Sequence, residues 1–140
     1  MFEPSPSLRA WPDALAAAWR KLDEARALVA RDPGAMAQAA ALVREAYQTG
    51  DGIVFSFQWA SVLRQMGKPE EAIPVLETAL ARAMHDDWEY RMRAHSLLAE
   101  LYHARGLERE ASEQQRIVLQ SNYRTDLVEK ARTYLSSSSR

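Results

Sequence analysis

The strongest constraint on the fold is a pattern of small residues that recurs around three glycines, Gly34, Gly67 and Gly106. Each glycine is followed five residues later by an alanine and preceded seven residues earlier by another. Two antiparallel helices approach closely only where both carry small side chains, and a glycine ends a helix in a left-handed conformation without a Cβ clash. The pattern therefore predicts three helix–turn–helix units. The alanines are Ala27, Ala60 and Ala99 before the glycines and Ala39, Ala72 and Ala111 after them.

Apolar residues at helical spacing run through most of the chain and predict about seven helices and no sheet. In the stretch from Ser56 to Leu80, this spacing continues on both sides of a turn at Gly67-Lys68-Pro69. We expect residues 13–135 to form a single domain. Proline and glycine breaks divide the chain into an irregular arm over residues 1–12, helix pairs over about 13–49, 53–84 and 88–120, a final helix over 125–135, and a disordered tail over 136–140.

The middle unit, WASVLRQMGKPEEAIPVLETAL, resembles the tetratricopeptide repeat family, in which helix–turn–helix units of about 34 residues stack on one another. The resemblance extends over roughly Arg20 to Gln120. It implies an all-α fold, a right-handed α-α superhelix of helix pairs. We expect the final helix, from Thr125 to Leu135, to cover the open apolar edge of the third pair. The first unit departs from the pattern, because Arg26 stands where Trp59 and Leu98 stand in the other two. A plain up-and-down helical bundle is the alternative fold.

The resemblance also implies a binding groove, because the first helices of stacked pairs line a concave face. In this family that face usually binds an extended or helical peptide. We expect an apolar anchor from valine and phenylalanine, and arginines that contact an acidic partner segment through their bidentate guanidinium groups. The alternative is that these arginines are ordinary solvated side chains. The expected groove residues are Arg31, Val54, Phe57, Ser61, Arg64, Arg93, Glu100 and His103.

Several kinds of chemistry find no support in the sequence. The chain has no cysteine, no glycine-rich phosphate loop and no nucleophile elbow, and its net charge of -1 gives no general attraction to nucleic acid. His95, Glu100 and His103 share a predicted helix, but a carboxylate-bridged metal site needs a second Glu-x-x-His pair. We therefore expect no enzyme activity, no cofactor and no metal.

The location of the protein is predicted from two further features. The N-terminus lacks a basic region followed by an apolar run, and no stretch approaches ~18 consecutive apolar residues. These features predict a cytoplasmic protein without a membrane span.

The function predicted from the sequence is a non-enzymatic adaptor or scaffold that binds a partner protein or peptide in the groove. One alternative is a small dedicated chaperone, whose partner would be insoluble when expressed alone. Another is a self-associating structural protein, in which the groove or the final helix contacts a second copy in a homo-oligomer.

Overall fold

The computed structural model describes residues 6–50, 52–82, 88–121 and 125–138, which form seven α-helices and no strand. The predicted all-α fold is confirmed. None of the helices in these ranges is long and apolar enough to cross a membrane. A short 3₁₀ turn, Pro33–Ala35, joins the first two helices. The helices are α1 Pro6–Arg31, α2 Met36–Thr49, α3 Ile53–Gln65, α4 Pro69–Arg82, α5 Trp88–Ala104, α6 Glu108–Ser121 and α7 Thr125–Ser138.

Consecutive helices pack in three pairs, α1 with α2, α3 with α4 and α5 with α6. The helices α3, α5 and α7 also contact one another in a row, and α7 packs against α6 as well. The core contains two clusters, one built from α3 to α6 and one built from α1, α2 and Phe55 of α3. Because Trp59 packs against both clusters, α3 connects the first pair to the rest of the molecule.

The predicted small residues allow the second and third pairs to pack closely. Ala60 and Ala72 in one pair, and Ala99 and Ala111 in the other, have no exposed surface. A larger side chain at any of these four positions would push the two helices of its pair apart. Leu76, which is also fully buried, fills the core of the second pair.

The turns of the second and third pairs have the same backbone structure. Gly67 and Gly106 adopt φ angles of 74° and 76°, in the left-handed region. At the first of these turns, the amide of Lys68 donates to the carbonyl of Leu63 at 2.9 Å, and the amide of Gly67 donates to that of Arg64 at 3.0 Å. The second turn repeats both bonds. This is the Schellman motif, which satisfies the last carbonyls of a helix and favours glycine at the left-handed position.

The first pair does not follow the predicted register. Gly34 lies in the 3₁₀ turn without a left-handed φ angle, and its amide donates to the Asp32 carboxylate at 2.9 Å. This turn replaces the Schellman turn of the other pairs, so α1 meets α2 in a different register. Ala25 is 3% exposed, whereas the predicted crossing residue Ala27 is exposed. The assignment of Ala27 as a packing residue is therefore wrong.

The first pair contacts α3 through a small aromatic cluster. Phe55 is 2% exposed, and its ring meets the Trp19 ring edge to face at a centroid distance of 5.1 Å. Gly50 lies against the same ring, because a Cβ built on it would come within 2.7 Å of Phe55 and 2.8 Å of the Ala18 methyl group. The glycine is thus required here for space.

Two predicted boundaries need correction. The helix α1 begins at Pro6 and not at residue 13, so residues 6–12 of the predicted irregular arm are helical. Proline suits the first position of a helix, and Pro12 removes a hydrogen bond from α1 without ending it. The helix α7 continues to Ser138, three residues into the predicted tail. Residues 1–5, 51, 83–87, 122–124 and 139–140 lie outside the described part of the chain, and with them the rest of the predicted arm, the rest of the predicted tail and the predicted break between the second and third pairs.

The last helix, α7, has one apolar face and one polar face. Val128 and Ala131 are 7% and 0% exposed, and α7 contacts α5 and α6. Glu129, Arg132 and Thr133 are exposed. With this arrangement α7 covers the third pair and presents polar side chains on its outward face.

Replacement of Gly67 by alanine tests the Schellman turn. A Cβ at this position would meet no atom within 4 Å, so the expected penalty comes from the left-handed backbone alone. We expect Gly67→Ala to lower the free energy of unfolding by about 1 kcal/mol and Gly67→Asn to lower it less, because asparagine tolerates this conformation better. Urea denaturation followed by circular dichroism measures both. Equal stability of Gly67→Ala and the wild type would contradict the assignment.

Candidate partner-binding surface

Within the described part of the chain, a pocket lies on each of two sides of α3. One lies between α3, α5 and α7, has a volume of about 230 Å³, and is named here the charged pocket. The other lies between α1, α2 and α3, has a volume of about 390 Å³, and is named the apolar pocket. The part of the charged pocket that comes from α3 and α5 consists of Phe57, Arg64, Arg93, Ser96, Leu97 and Glu100.

Glu100 connects three helices across the charged pocket. Its Oε2 atom lies 2.8 Å from Nη1 of Arg64, an ion pair that lacks the angle of a hydrogen bond. Its Oε1 atom accepts a hydrogen bond from Nζ of Lys130 on α7. The Glu100 side chain is 24% exposed, so these contacts are screened by solvent less than those of a fully exposed pair. A single carboxylate on α5 thus holds one cation of α3 and one of α7.

Arg93 is held by its own helix. Its Nη2 atom donates to the Glu89 carboxylate at 3.0 Å, and its guanidinium carbon lies 5.3 Å from the centre of the Tyr90 ring. The Phe57 ring meets Tyr90 edge to face, with centroids 5.7 Å apart. Phe57 therefore belongs to an aromatic contact between α3 and α5 as well as to the wall of the pocket.

Four of the eight predicted groove residues come together in the charged pocket. They are Phe57, Arg64, Arg93 and Glu100. The other four are distributed differently, and each has a physical reason for its position.

Ser61 lines the apolar pocket instead, because it lies on a neighbouring stripe of α3. Val54 is only 7% exposed, so its predicted role as an exposed anchor is wrong. Arg31 is exposed at the end of α1 and lines neither pocket, as expected from the altered register of the first pair. His103 is exposed and contacts α6 and α7 instead of lining the charged pocket.

The third wall of the charged pocket was not predicted from the sequence. It consists of Asp126, Leu127 and Lys130 on α7. The sequence pattern identified α7 as a cover for the third pair, but α7 also occupies the place of a further first helix beside α5. One sequence signal could have indicated that α7 also lines a pocket. Leu127 and Lys130 are three residues apart and therefore lie on one face of the helix.

A second polar cluster joins the ends of α5, α6 and α7. Nδ1 of His103 lies 2.7 Å from Oε1 of Glu108, and the Tyr134 hydroxyl donates to Oε2 of Glu108 at 2.6 Å. The hydrogen bond from Tyr134 lowers the pKa of the Glu108 carboxyl, and His103 lowers it further. Burial, assisted by Glu108, raises the pKa of Tyr134 to about 12. Through these contacts, Tyr134 connects α7 to both helices of the third pair.

Two of the three histidines, His95 and His103, lie in the described part of the chain. In the described part of the chain, no group of three or more histidine, aspartate or glutamate side chains is arranged to hold a metal ion. Nδ1 of His95 lies 2.6 Å from Oε1 of Gln114. Burial lowers the pKa of His95, and the bond to Gln114 opposes this effect.

The stacked helix pairs define a helical-repeat protein, and comparison with family models identifies the repeat. Residues 53–120 match the model of the tetratricopeptide repeat. This segment contains the two pairs with Schellman turns and excludes the divergent first pair. Residues 53–120 are therefore identified as tetratricopeptide repeats, and repeats of this family generally mediate protein–protein interactions. The comparisons with curated proteins and with solved structures each give no match.

The coupling of Tyr134 to Glu108 can be tested by titration. Because the folded-state pKa of Glu108 is lowered, the stability it contributes is present above its ordinary pKa and is lost as the pH falls through the folded value. We expect Tyr134→Phe to raise the pKa of Glu108 toward the ordinary value of 4.5. Carboxyl ¹³C NMR measures the shift. His103→Gln is the control and should move this pKa less; an unchanged pKa in Tyr134→Phe would contradict the assignment.

Proposed function

We propose that this protein is a non-enzymatic adaptor or scaffold that holds a segment of a partner protein against the charged pocket. The observation that carries the proposal is the meeting of Phe57, Arg64, Arg93 and Glu100, from the first helices of two repeats, around one pocket. The same face is the one that the family resemblance predicts for peptide binding.

The pocket has the chemistry to bind side chains of a peptide. Phe57, Leu97 and Leu127 supply apolar surface, and the charged groups of Arg64 and Lys130 lie at the same pocket. A volume of about 230 Å³ falls below the range of about 300–1,000 Å³ that is usual for small-molecule sites. One or two side chains of a longer segment fit such a space better than a complete ligand does.

The charges of the pocket favour an acidic segment, but only by a small margin. Three cations, Arg64, Arg93 and Lys130, face two carboxylates, Glu100 and Asp126, in the lining. A carboxylate of the partner would therefore have to compete with Glu100 for Arg64 and Lys130. On this basis the proposed partner segment combines one or two carboxylates with apolar side chains and is not a long acidic run.

Charge reversal at Arg64 tests the proposed site. A peptide is first selected on the wild-type protein from a random display library, and its affinity is measured by fluorescence polarisation. We expect Arg64→Glu to weaken binding by at least about tenfold, the effect of about 1.4 kcal/mol. Truncation of Phe57 is less suitable, because its ring packs on Tyr90 and its loss would also disturb folding.

The matched control is Arg109→Glu. Arg109 lies on α6, away from both pockets, and it too has a glutamate partner, with Nε 3.7 Å from Glu113. We expect this variant to bind the peptide within about twofold of the wild type, since a remote exposed charge acts weakly through solvent. Thermal melting verifies that both variants are folded. Equal binding by Arg64→Glu and Arg109→Glu would overturn the proposal.

A separate variant tests the acidic preference. Replacing Glu100 by glutamine removes the internal competitor and leaves the charges of Arg64 and Lys130 available to the partner. We expect Glu100→Gln to bind acidic peptides several times more tightly and neutral peptides about as well as the wild type. Glu113→Gln on α6 is the control. Unchanged binding of acidic peptides by Glu100→Gln would show that the partner does not use these cations.

A further inference from the structure

We propose that the apolar pocket is a second contact for the same partner segment, and that it receives large apolar side chains adjoined by a carboxylate. The inference rests on the proposed function, because it adds a recognition element to the segment that binds at the charged pocket. It assigns to that segment both a composition and a direction, with its apolar part toward α1 and its remaining part toward α7.

The pocket exists because the first pair departs from the repeat. Elsewhere along the row the first helices contact one another directly, as α3 does with α5. Between α1 and α3, however, the pocket reaches the second helix of the first pair, so that Ala39, Ala40 and Val43 of α2 form its floor. The opening thus lies at the one pair whose helices are joined by a 3₁₀ turn and not by a Schellman turn.

The size and composition of the pocket suit apolar side chains. Its volume of about 390 Å³ lies within the usual range for binding sites, and a cavity of only about 150 Å³ can hold a benzene molecule. Leu22, Val29 and Val62 contribute aliphatic walls. Met36, which is 36% exposed, supplies a flexible and polarisable side chain at the pocket. Burial of this surface by a partner would be favourable in proportion to the apolar area removed from water.

The charges around the pocket indicate a neighbouring carboxylate. Arg26 is the charged residue of its lining, which contains no carboxylate, and the remaining polar groups are Gln58, Ser61 and Gln65. Arg26 Nη1 lies 3.9 Å from Asp23, and both side chains are more than half exposed, so this ion pair is weak. The guanidinium group of Arg26 thus stays available to an acidic residue of the partner.

A single segment can reach both pockets because they share α3. Phe57 and Arg64, seven residues apart, form one stripe of this helix on the charged pocket. Ser61 and Gln65 form the adjoining stripe on the apolar pocket. The Ser61 hydroxyl donates to the carbonyl of Phe57 at 2.9 Å, so it lies close to the helix and leaves a low ridge between the two pockets.

The test uses two probes on the full chain. The first is 1-anilinonaphthalene-8-sulfonate, which combines an aromatic body with an anionic group and fluoresces in apolar sites. The second is the peptide selected on the wild-type protein. The principal variant is Ala30→Phe, because Ala30 is exposed on α1 yet lines the pocket, so a phenyl ring there fills the opening without entering the core. Ala27→Phe, also exposed on α1 but outside the lining, is the matched control.

We expect Ala30→Phe to reduce the fluorescence enhancement severalfold and to weaken the peptide by more than about tenfold, the effect of losing the site of one large apolar side chain. Ala27→Phe should change neither, and Arg26→Gln should weaken both probes severalfold. Unchanged peptide affinity in Ala30→Phe overturns the inference, whether or not the dye is displaced. Unchanged affinity in Ala30→Phe would not affect the proposed function, because that function is tested by Arg64→Glu at the charged pocket. Unchanged peptide affinity in Arg64→Glu would instead remove the proposed function.

Discussion

Close packing of paired helices at buried alanines is the constraint on which the second and third repeats depend. Ala60 and Ala72, and likewise Ala99 and Ala111, allow the two helices of a pair to approach until no solvent reaches these side chains. Large residues such as Leu76 and Leu101 can then fill the core that the second and third pairs share. The helices α3, α5 and α7 consequently form a row, and the charged pocket lies between these three helices. Its side chains are far apart in the sequence, and the packing of the pairs brings them together.

The repeat pattern predicted most of the fold because it depends on local requirements. A left-handed glycine and a small residue at a fixed distance from it can be found in the sequence, as at Gly67 with Ala60 and Ala72. The register of the first pair was predicted incorrectly because Asp32 caps a 3₁₀ turn around Gly34. The pattern of glycines does not distinguish a 3₁₀ turn from a Schellman turn. The resulting shift of register accounts for the incorrect assignment of Ala27 and for the position of Arg31 outside both pockets.

The candidate site was predicted less completely, because side-chain partners depend on tertiary contacts. Arg64, Arg93 and Glu100 were each expected to face a partner protein, yet Glu100 pairs with Arg64, and Arg93 pairs with Glu89. Nor could the sequence place Lys130 beside Glu100, thirty residues away. The three cations of the charged pocket thus each have a carboxylate of this chain as a partner. We therefore expect the pocket to discriminate among partner segments by the arrangement of their charges more than by the number of charges.

The packing of Phe55 and Trp59 of α3 against the core of the first pair bears on the cooperativity of folding. In a stacked-repeat protein, stability is close to a sum over units and over the interfaces between neighbours. The apolar pocket opens at the interface between the first pair and α3, where Phe55, Trp59 and Val62 of α3 pack against the core of the first pair. The first pair is then the unit expected to open at the lowest free energy, and its amides should exchange with solvent before those of α5 and α6. A segment that filled the pocket would complete this interface, so occupancy would make the array unfold more nearly as one unit.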